Sequence, residues 1–169
     1  MTYQYTMCGL DYVYLLDGYR KHETKYGSGV AIEHADELDR QIAAYVILSH
    51  TRLRGQEVRF LRALMDMSQT ELAAHLGMQR VSVARWEGAP KTTIPGAADR
   101  VIRMVSAKKI FDNIALLDVI VDILPEITDK DVTPIYMSYG PDRSANKNQP
   151  SFFEIKRESE GWTQKVKTG

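Results

Sequence analysis

The hydrophobic positions change rhythm along the chain. Over residues 1–50 they begin as short aromatic and β-branched runs, Tyr12-Val13-Tyr14-Leu15-Leu16 and Val30-Ala31-Ile32, set off by Gly18 and by Gly27-Ser28-Gly29. Runs of this kind, bounded by glycine, predict two or three short strands. From residue 36 to about 48 the period becomes helical, with Leu38, Ile42, Tyr45 and Val46 recurring every three or four positions. Residues 51–109 stay helical throughout. Val58, Leu61, Leu64 and Met65 share one face of a first helix, and Leu72, Ala73 and Leu76 one face of a short second helix. Val83 and Trp86 mark a third, and Val101, Ile102, Met104 and Val105 a fourth. Residues 111–124 predict a helix apolar almost all round, broken only by Asp112, Asp118 and Asp122, and stopped by Pro125. Beyond it, residues 133–139 and 152–157 predict strands around a polar loop. Glu160-Gly161-Trp162 predicts a turn into a last short strand.

The pattern divides the chain into a small β-rich module ending in a helix (1–50), a helical domain (51–109) and a helix plus β-hairpin module (110–169). The fold class is α+β. The 169 residues, 44% hydrophobic and 26% charged, are enough for a core without disulfide or metal staples. One cysteine, Cys8, forms no internal disulfide and no cysteine-based zinc site unaided; with no basic neighbour to activate it, it reads as a small core residue. No apolar run approaches the roughly 18 residues of a membrane span, and no secretory signal pattern opens the chain. A cytoplasmic, nucleoid-associated protein without membrane contact is the expectation.

The 22 basic and 22 acidic side chains cancel, which on its own argues against a polyanionic partner. Their distribution argues the reverse. Residues 1–50 carry 4 basic and 7 acidic side chains, residues 51–109 carry 11 and 5, and residues 110–169 carry 7 and 10. The middle segment is therefore net +6 between two flanks of −3.

That basic segment holds the most informative motif. Ser68 followed by Glu71 is a capping box that starts the second helix. Gly77 stands where this helix must stop and turn, and glycine takes a left-handed backbone without penalty. Ala73 is small where two helices approach. A new helix begins near Gln79 and turns Val83 and Trp86 inward, which leaves Arg80, Val81, Ala84 and Arg85 outward with Gln79 at the tip. Two short helices joined by a tight glycine turn form a helix-turn-helix, whose second helix fits a DNA major groove. Arginine meets guanine O6 and N7 in a bidentate contact, and Val81 or Ala84 suits a thymine methyl. Gln69, at the start of the second helix, sits where a side chain and a helix dipole meet a phosphate.

Residues 54–88 resemble the Cro/CI (XRE) family of helix-turn-helix regulators, matching its LR…SQ-x-ELA…LG…W-E frame. The resemblance implies a central all-α domain of five helices between small N-terminal and C-terminal β-containing modules. It implies base-reading roles for Gln79, Arg80, Val81 and Arg85 and a phosphate contact for Gln69, with Ser82, Lys91 and Thr92 suited to further phosphate contacts. It also implies a partly buried ion pair between Arg62 and Glu87. The chain departs from the family after Glu87, where Ala89-Pro90-Lys91-Thr92-Thr93 replaces the usual short loop. The wider arrangement is similar to the MqsA (YgiT-type) antitoxins, in which a β-rich module precedes such a domain and an IPG-A-AD-R-x-IR-like helix, here residues 94–103. The paired CxxC zinc ligands of those proteins are missing.

The functional expectation is a sequence-specific DNA-binding regulator, a dimeric repressor of its own operon on a palindromic operator. The alternative is an antitoxin that neutralises a partner toxin through its N-terminal module. Seven of the nine tyrosines lie in residues 1–50; they read as strand formers first and as a protein-binding surface second. Helix 111–124 is either packed between modules or a two-fold dimer interface, and the palindrome argument favours the dimer. His22, Glu23 and His34 lack a third ligand at useful spacing, so no metal, cofactor or catalytic site is expected.

Overall fold

A computed structural model of the chain describes residues 1–140 and 161–165. The protein is mixed α+β, and its described residues divide into two compact units: residues 1–6, 11–41, 133–140 and 161–165 form one, and residues 7–10 and 42–132 the other.

In the first unit β1 (Tyr3–Gln4), β2 (Val13–Leu15), β5 (Ile135–Gly140) and β6 (Gly161–Lys165) form a four-stranded sheet in the order β1-β2-β5-β6. The β2–β5 pair is parallel, with Val13, Tyr14 and Leu15 opposite Ile135, Tyr136 and Met137; β1–β2 and β5–β6 are antiparallel. Strands of the N-terminal and C-terminal segments thus share one sheet. Its inner face follows the period of two: Val13, Leu15, Ile135 and Met137 are buried, while Tyr14 and Tyr136 stack on the other face with ring centroids 5.5 Å apart. Asp17 ties down the far end of β5, accepting from the Ser138 hydroxyl at 2.7 Å and from the Tyr139 amide. Trp162 is buried and donates its indole N–H to the Glu33 carbonyl at 2.7 Å. A separate two-stranded ribbon pairs β3 (Tyr19–Thr24) with β4 (Gly27–Ile32). The strand expected over 152–157 lies outside the described residues.

The helix α1 (Ala35–Leu48) starts in the first unit and ends in the second. In the second unit follow α2 (Gly55–Leu64), α3 (Gln69–His75), α4 (Arg80–Glu87), α5 (Gly96–Ser106), a π-helical turn (Ala107–Phe111) and α6 (Ile114–Ile123) with a 3-10 turn over Leu124–Glu126. Ile42, Ile47, Leu53, Val58, Leu61, Leu72, Val83, Ile94, Ile102 and Ile120 are its core, each contributing about 1.5–3 kcal/mol by burial. The single helix expected over 111–124 is corrected. Asp112 takes a left-handed conformation (φ 47) that ends the π-helical turn, a conformation an aspartate tolerates. Asn113 then caps a new helix by accepting from the Ala115 amide at 3.0 Å. At the other end α6 stops at Ile123, just before Pro125 as expected, and Pro125 then occupies the first positions of a 3-10 turn, where no amide proton is needed.

The helical unit contains a polar knot. Arg103 has 0% of its surface exposed. It donates to Asp99 at 2.9 and 3.2 Å, one turn earlier on α5, and to the carbonyls of Ile47, Ser49 and Thr51 at 2.9, 2.6 and 2.7 Å. These carbonyls lie at and just beyond the end of α1, where the intrahelical ladder supplies no donor. Asp99 also accepts from the Leu53 amide at 2.7 Å. A fully buried charge is tolerated here because every partner is a charge-assisted hydrogen bond.

Candidate nucleic-acid interface

The turn between α3 and α4 is built from short-range bonds. The Ser68 hydroxyl accepts from the Glu71 amide at 3.2 Å, and the Glu71 carboxylate accepts from the Ser68 amide at 2.7 Å, closing the capping box. Hydrogen bonding to the carboxylate, from the Ser68 amide first and the Ser68 side chain second, holds the Glu71 carboxyl below its ordinary value. Beyond α3, Gly77 has φ 62, the left-handed conformation that a tight helix-to-helix turn requires. The Met78 amide then reaches back to the Ala73 carbonyl at 2.9 Å. Ala73 is buried.

α4 presents two sides. Val83 is fully buried while Val81 is 52% exposed, and Gln79, Arg80 and Arg85 are exposed. Val81 and Arg85 are four residues apart on one row of the helix, with Arg80 on the adjacent row. Trp86, expected to point inward, is half-buried, and Ser82, on the same row as Trp86, is half-buried too. Lys91 and Thr92 are exposed in the loop beyond α4. The Thr92 carbonyl accepts from the Gly55 amide at 3.2 Å, which ties this loop to the start of α2.

The far end of α4 is anchored. Arg62 on α2 donates through Nε and Nη2 to the two oxygens of Glu87 at 2.6 and 3.0 Å, and through Nη1 to the Met67 carbonyl at 2.7 Å. Burial alone raises the Glu87 carboxyl, but the hydrogen bonds from Arg62 and Gln69 outweigh it and hold the group below its ordinary 4.5. The same hydrogen bond raises the Arg62 guanidinium. The arrangement expected from the sequence for Arg62 and Glu87 is therefore present as a two-bond fork.

Two features have no signal in the sequence, and a third has only part of one. Gln69 is engaged on both sides of its amide: Nε2 donates to Glu87 at 3.0 Å, and Oε1 accepts from Arg80 at 2.9 Å. Nothing in the spacing 69, 80, 87 announces this. Gly55 is the second: a Cβ there would lie 1.8 Å from the Trp86 carbonyl oxygen, so only glycine lets α2 begin against the end of α4. The third is the Asp99–Arg103 pair, whose i, i+4 spacing is a readable signal, although nothing local says that it is buried.

Among the described residues no group of three or more His, Cys, Asp or Glu side chains is placed to hold a metal ion, and no helix is long and apolar enough to cross a membrane. Comparison of the chain with protein-family models, with curated proteins and with solved structures returns no match.

Proposed function

We infer that the chain is a sequence-specific DNA-binding regulator that reads the major groove with α4, acting as a dimeric repressor of its own operon. The observation that carries this reading is the outer side of α4. Gln79, Arg80, Val81 and Arg85 are exposed together on a helix whose end is forked to α2 through Arg62 and Glu87. Exposed arginines on a fixed short helix are the donors that guanine edges need, and Val81 offers an apolar contact for a thymine methyl. The net charge of +6 over residues 51–109 supplies attraction to the phosphate backbone. In this reading Gln69, Ser82, Lys91 and Thr92 face phosphates, and the central helices adopt the five-helix arrangement of Cro/CI regulators. A second copy docks on α6, where Ile114 and Val121, seven positions apart on one face, are 73% and 54% exposed. That pairing sets two α4 helices about 34 Å apart over a palindrome.

The test is a footprint on the DNA upstream of the gene, followed by affinity measurements on the protected site. Arg80→Ala and Arg85→Ala are each expected to weaken specific binding by about 1–3 kcal/mol. Losses below about 1 kcal/mol for both would remove α4 from the interface.

A further inference from the structure

The ribbon of β3 and β4 has two outer edges, and only one of them is guarded. Its register runs without a bulge from Tyr19 opposite Ile32 to Thr24 opposite Gly27. The Glu33 amide donates to the Gly18 carbonyl at 2.9 Å, so these two residues are a hydrogen-bonded pair. Such pairs alternate along an antiparallel ladder. Ala31, Gly29 and Gly27 therefore bond to β3, while Ser28, Val30 and Ile32 turn their N–H and C=O groups to the outer edge. Among the described residues no strand pairs with that edge. On the other side of the ribbon, β3 places exposed Lys21 and Glu23 at its edge, and charges there discourage pairing. β4, Gly-Ser-Gly-Val-Ala-Ile, has no charged side chain and no proline. A Cβ built at Gly27 or Gly29 meets nothing within 4 Å, and Tyr26, in the turn, is fully exposed.

We propose that β4 is a seam between two copies of this chain, paired antiparallel around a two-fold axis at Gly29. The strand is complementary to itself in that register. Ser28 of each copy faces Val30 of the other, and all of these residues carry outward donors and acceptors. At the axis two glycines face each other in a non-hydrogen-bonded pair, where Cα atoms approach to about 4.5 Å and side chains would crowd. Gly27 lies opposite Ala31. Continued past the strand, the register brings Tyr26 towards Ile32 of the second copy, an aromatic and β-branched pair. It also brings Lys25 towards Glu33 at both ends. Glu33 already meets Arg20 at 3.2 Å on the surface, and a carboxylate has room for both donors. A shift by one residue sets outward groups against inward ones, and a shift by two separates Lys25 from Glu33. A two-stranded ribbon is marginal alone, whereas two ribbons joined here make a four-stranded sheet. This seam is distinct from the α6 contact, so it joins one operator dimer to another. It does not rest on the DNA-reading role.

The experiment uses the full chain without DNA. Amide exchange of Ser28, Val30 and Ile32 is followed over a dilution series, with sedimentation equilibrium alongside. The three amides should become protected as concentration rises, together with the larger species. The Ala31 amide, bonded to β3, should stay protected throughout and reports an intact ribbon. Gly29→Lys and Gly29→Glu each set like charges face to face at the axis, and each is expected to weaken the association about tenfold or more. An equal mixture of the two variants should restore it. Should a variant disturb the ribbon, the dilution series of the wild type decides alone. Protection independent of concentration would mean that one chain covers its own edge. Fast exchange at every concentration, slowed only by adding a different protein, would give the edge to another partner. Either result overturns the proposal, as does a Gly29→Lys chain that associates like the wild type with its ribbon intact.

Discussion

The stretch from Ser68 to Glu87 and the four-stranded sheet are held together over opposite sequence distances. In the first, the capping box spans three residues, the turn bond from Met78 to Ala73 five, and the longest tie, Gln69 to Glu87, eighteen. In the second, β2 and β5 are parallel partners with Val13 opposite Ile135, and Asp17 binds Ser138 across 121 positions. A bond between near neighbours is a property of the local sequence, because the loop it closes costs little entropy. A bond across most of the chain closes a loop of more than a hundred residues, and contacts elsewhere must offset that entropy.

The largest expected effect tests whether the helical unit is as local as its helix-turn-helix. Arg103 reaches back 52 and 56 residues to Thr51 and Ile47, so this unit too has a non-local tie. Arg103→Met is expected to cost about 3–5 kcal/mol in urea unfolding, since it leaves Asp99 charged and buried and removes the donors to the end of α1. A loss under about 1 kcal/mol would mean that neighbouring bonds alone sustain these helices.

Next comes the sheet. Leu15 has 0% of its surface exposed, and Leu15→Ala is expected to cost about 2–5 kcal/mol. If the sheet is one non-local assembly, amides of β2 and β5 should lose hydrogen-exchange protection together. Loss confined to β2 would show that β5 is held by other contacts and would weaken the contrast.

The same contrast explains which parts of the molecule are legible in the sequence. Elements with their own period and caps are legible: α1, the helices from α2 to α5, the capping box and the turn glycine; the Arg62–Glu87 pair, 25 positions apart, comes only from the family resemblance. β2 and β5 were legible as strands but not as partners, because a period of two says which face is buried and nothing about which strand lies alongside. The break at Asp112 was missed because apolar residues continue on both sides, and a left-handed aspartate leaves the hydrophobic pattern untouched. In the candidate interface the outward placement of Arg80, Val81 and Arg85 follows from the position of Val83, whereas Ala84, expected outward, is half-buried. The bond from Gln69 to Arg80 does not follow, since it depends on how two helices meet. Gly55 was unreadable for the same reason: its value lies in the Trp86 carbonyl 31 positions away.

A smaller effect probes the local side directly. Ser68→Ala removes one half of the capping box and is expected to cost about 1 kcal/mol, with Ser68→Asp recovering most of it. Thermal unfolding of the two variants is the measurement, and equal midpoints for Ala and Asp would detach the start of α3 from its cap.

The finest distinction is in proton linkage, where one carboxyl of each unit carries the opposite sign. Glu87 is held below its ordinary 4.5 when folded, so the folded state binds its proton less readily than the unfolded chain. Its stabilising contribution is present above 4.5 and is lost as pH falls through the depressed folded value. Asp39, in the first unit, goes the other way. Burial raises its carboxyl above 3.8 and outweighs the hydrogen bond that Tyr5 donates to it at 3.1 Å. Its contribution is full below 3.8 and is lost as pH rises through the raised folded value. Glu87→Gln should therefore flatten the acid limb of the stability profile, because the variant has no carboxylate to protonate. Asp39→Asn should remove a stability loss on the way up from acid pH, while its amide oxygen still accepts from Tyr5. Urea midpoints collected from pH 3 to 7 decide the matter. Two variants that change the same limb in the same direction would mean that Asp39 is stabilised as an anion, and the contrast between a carboxylate bonded by Arg62 and Gln69 and one half-buried beside a hydroxyl would not hold.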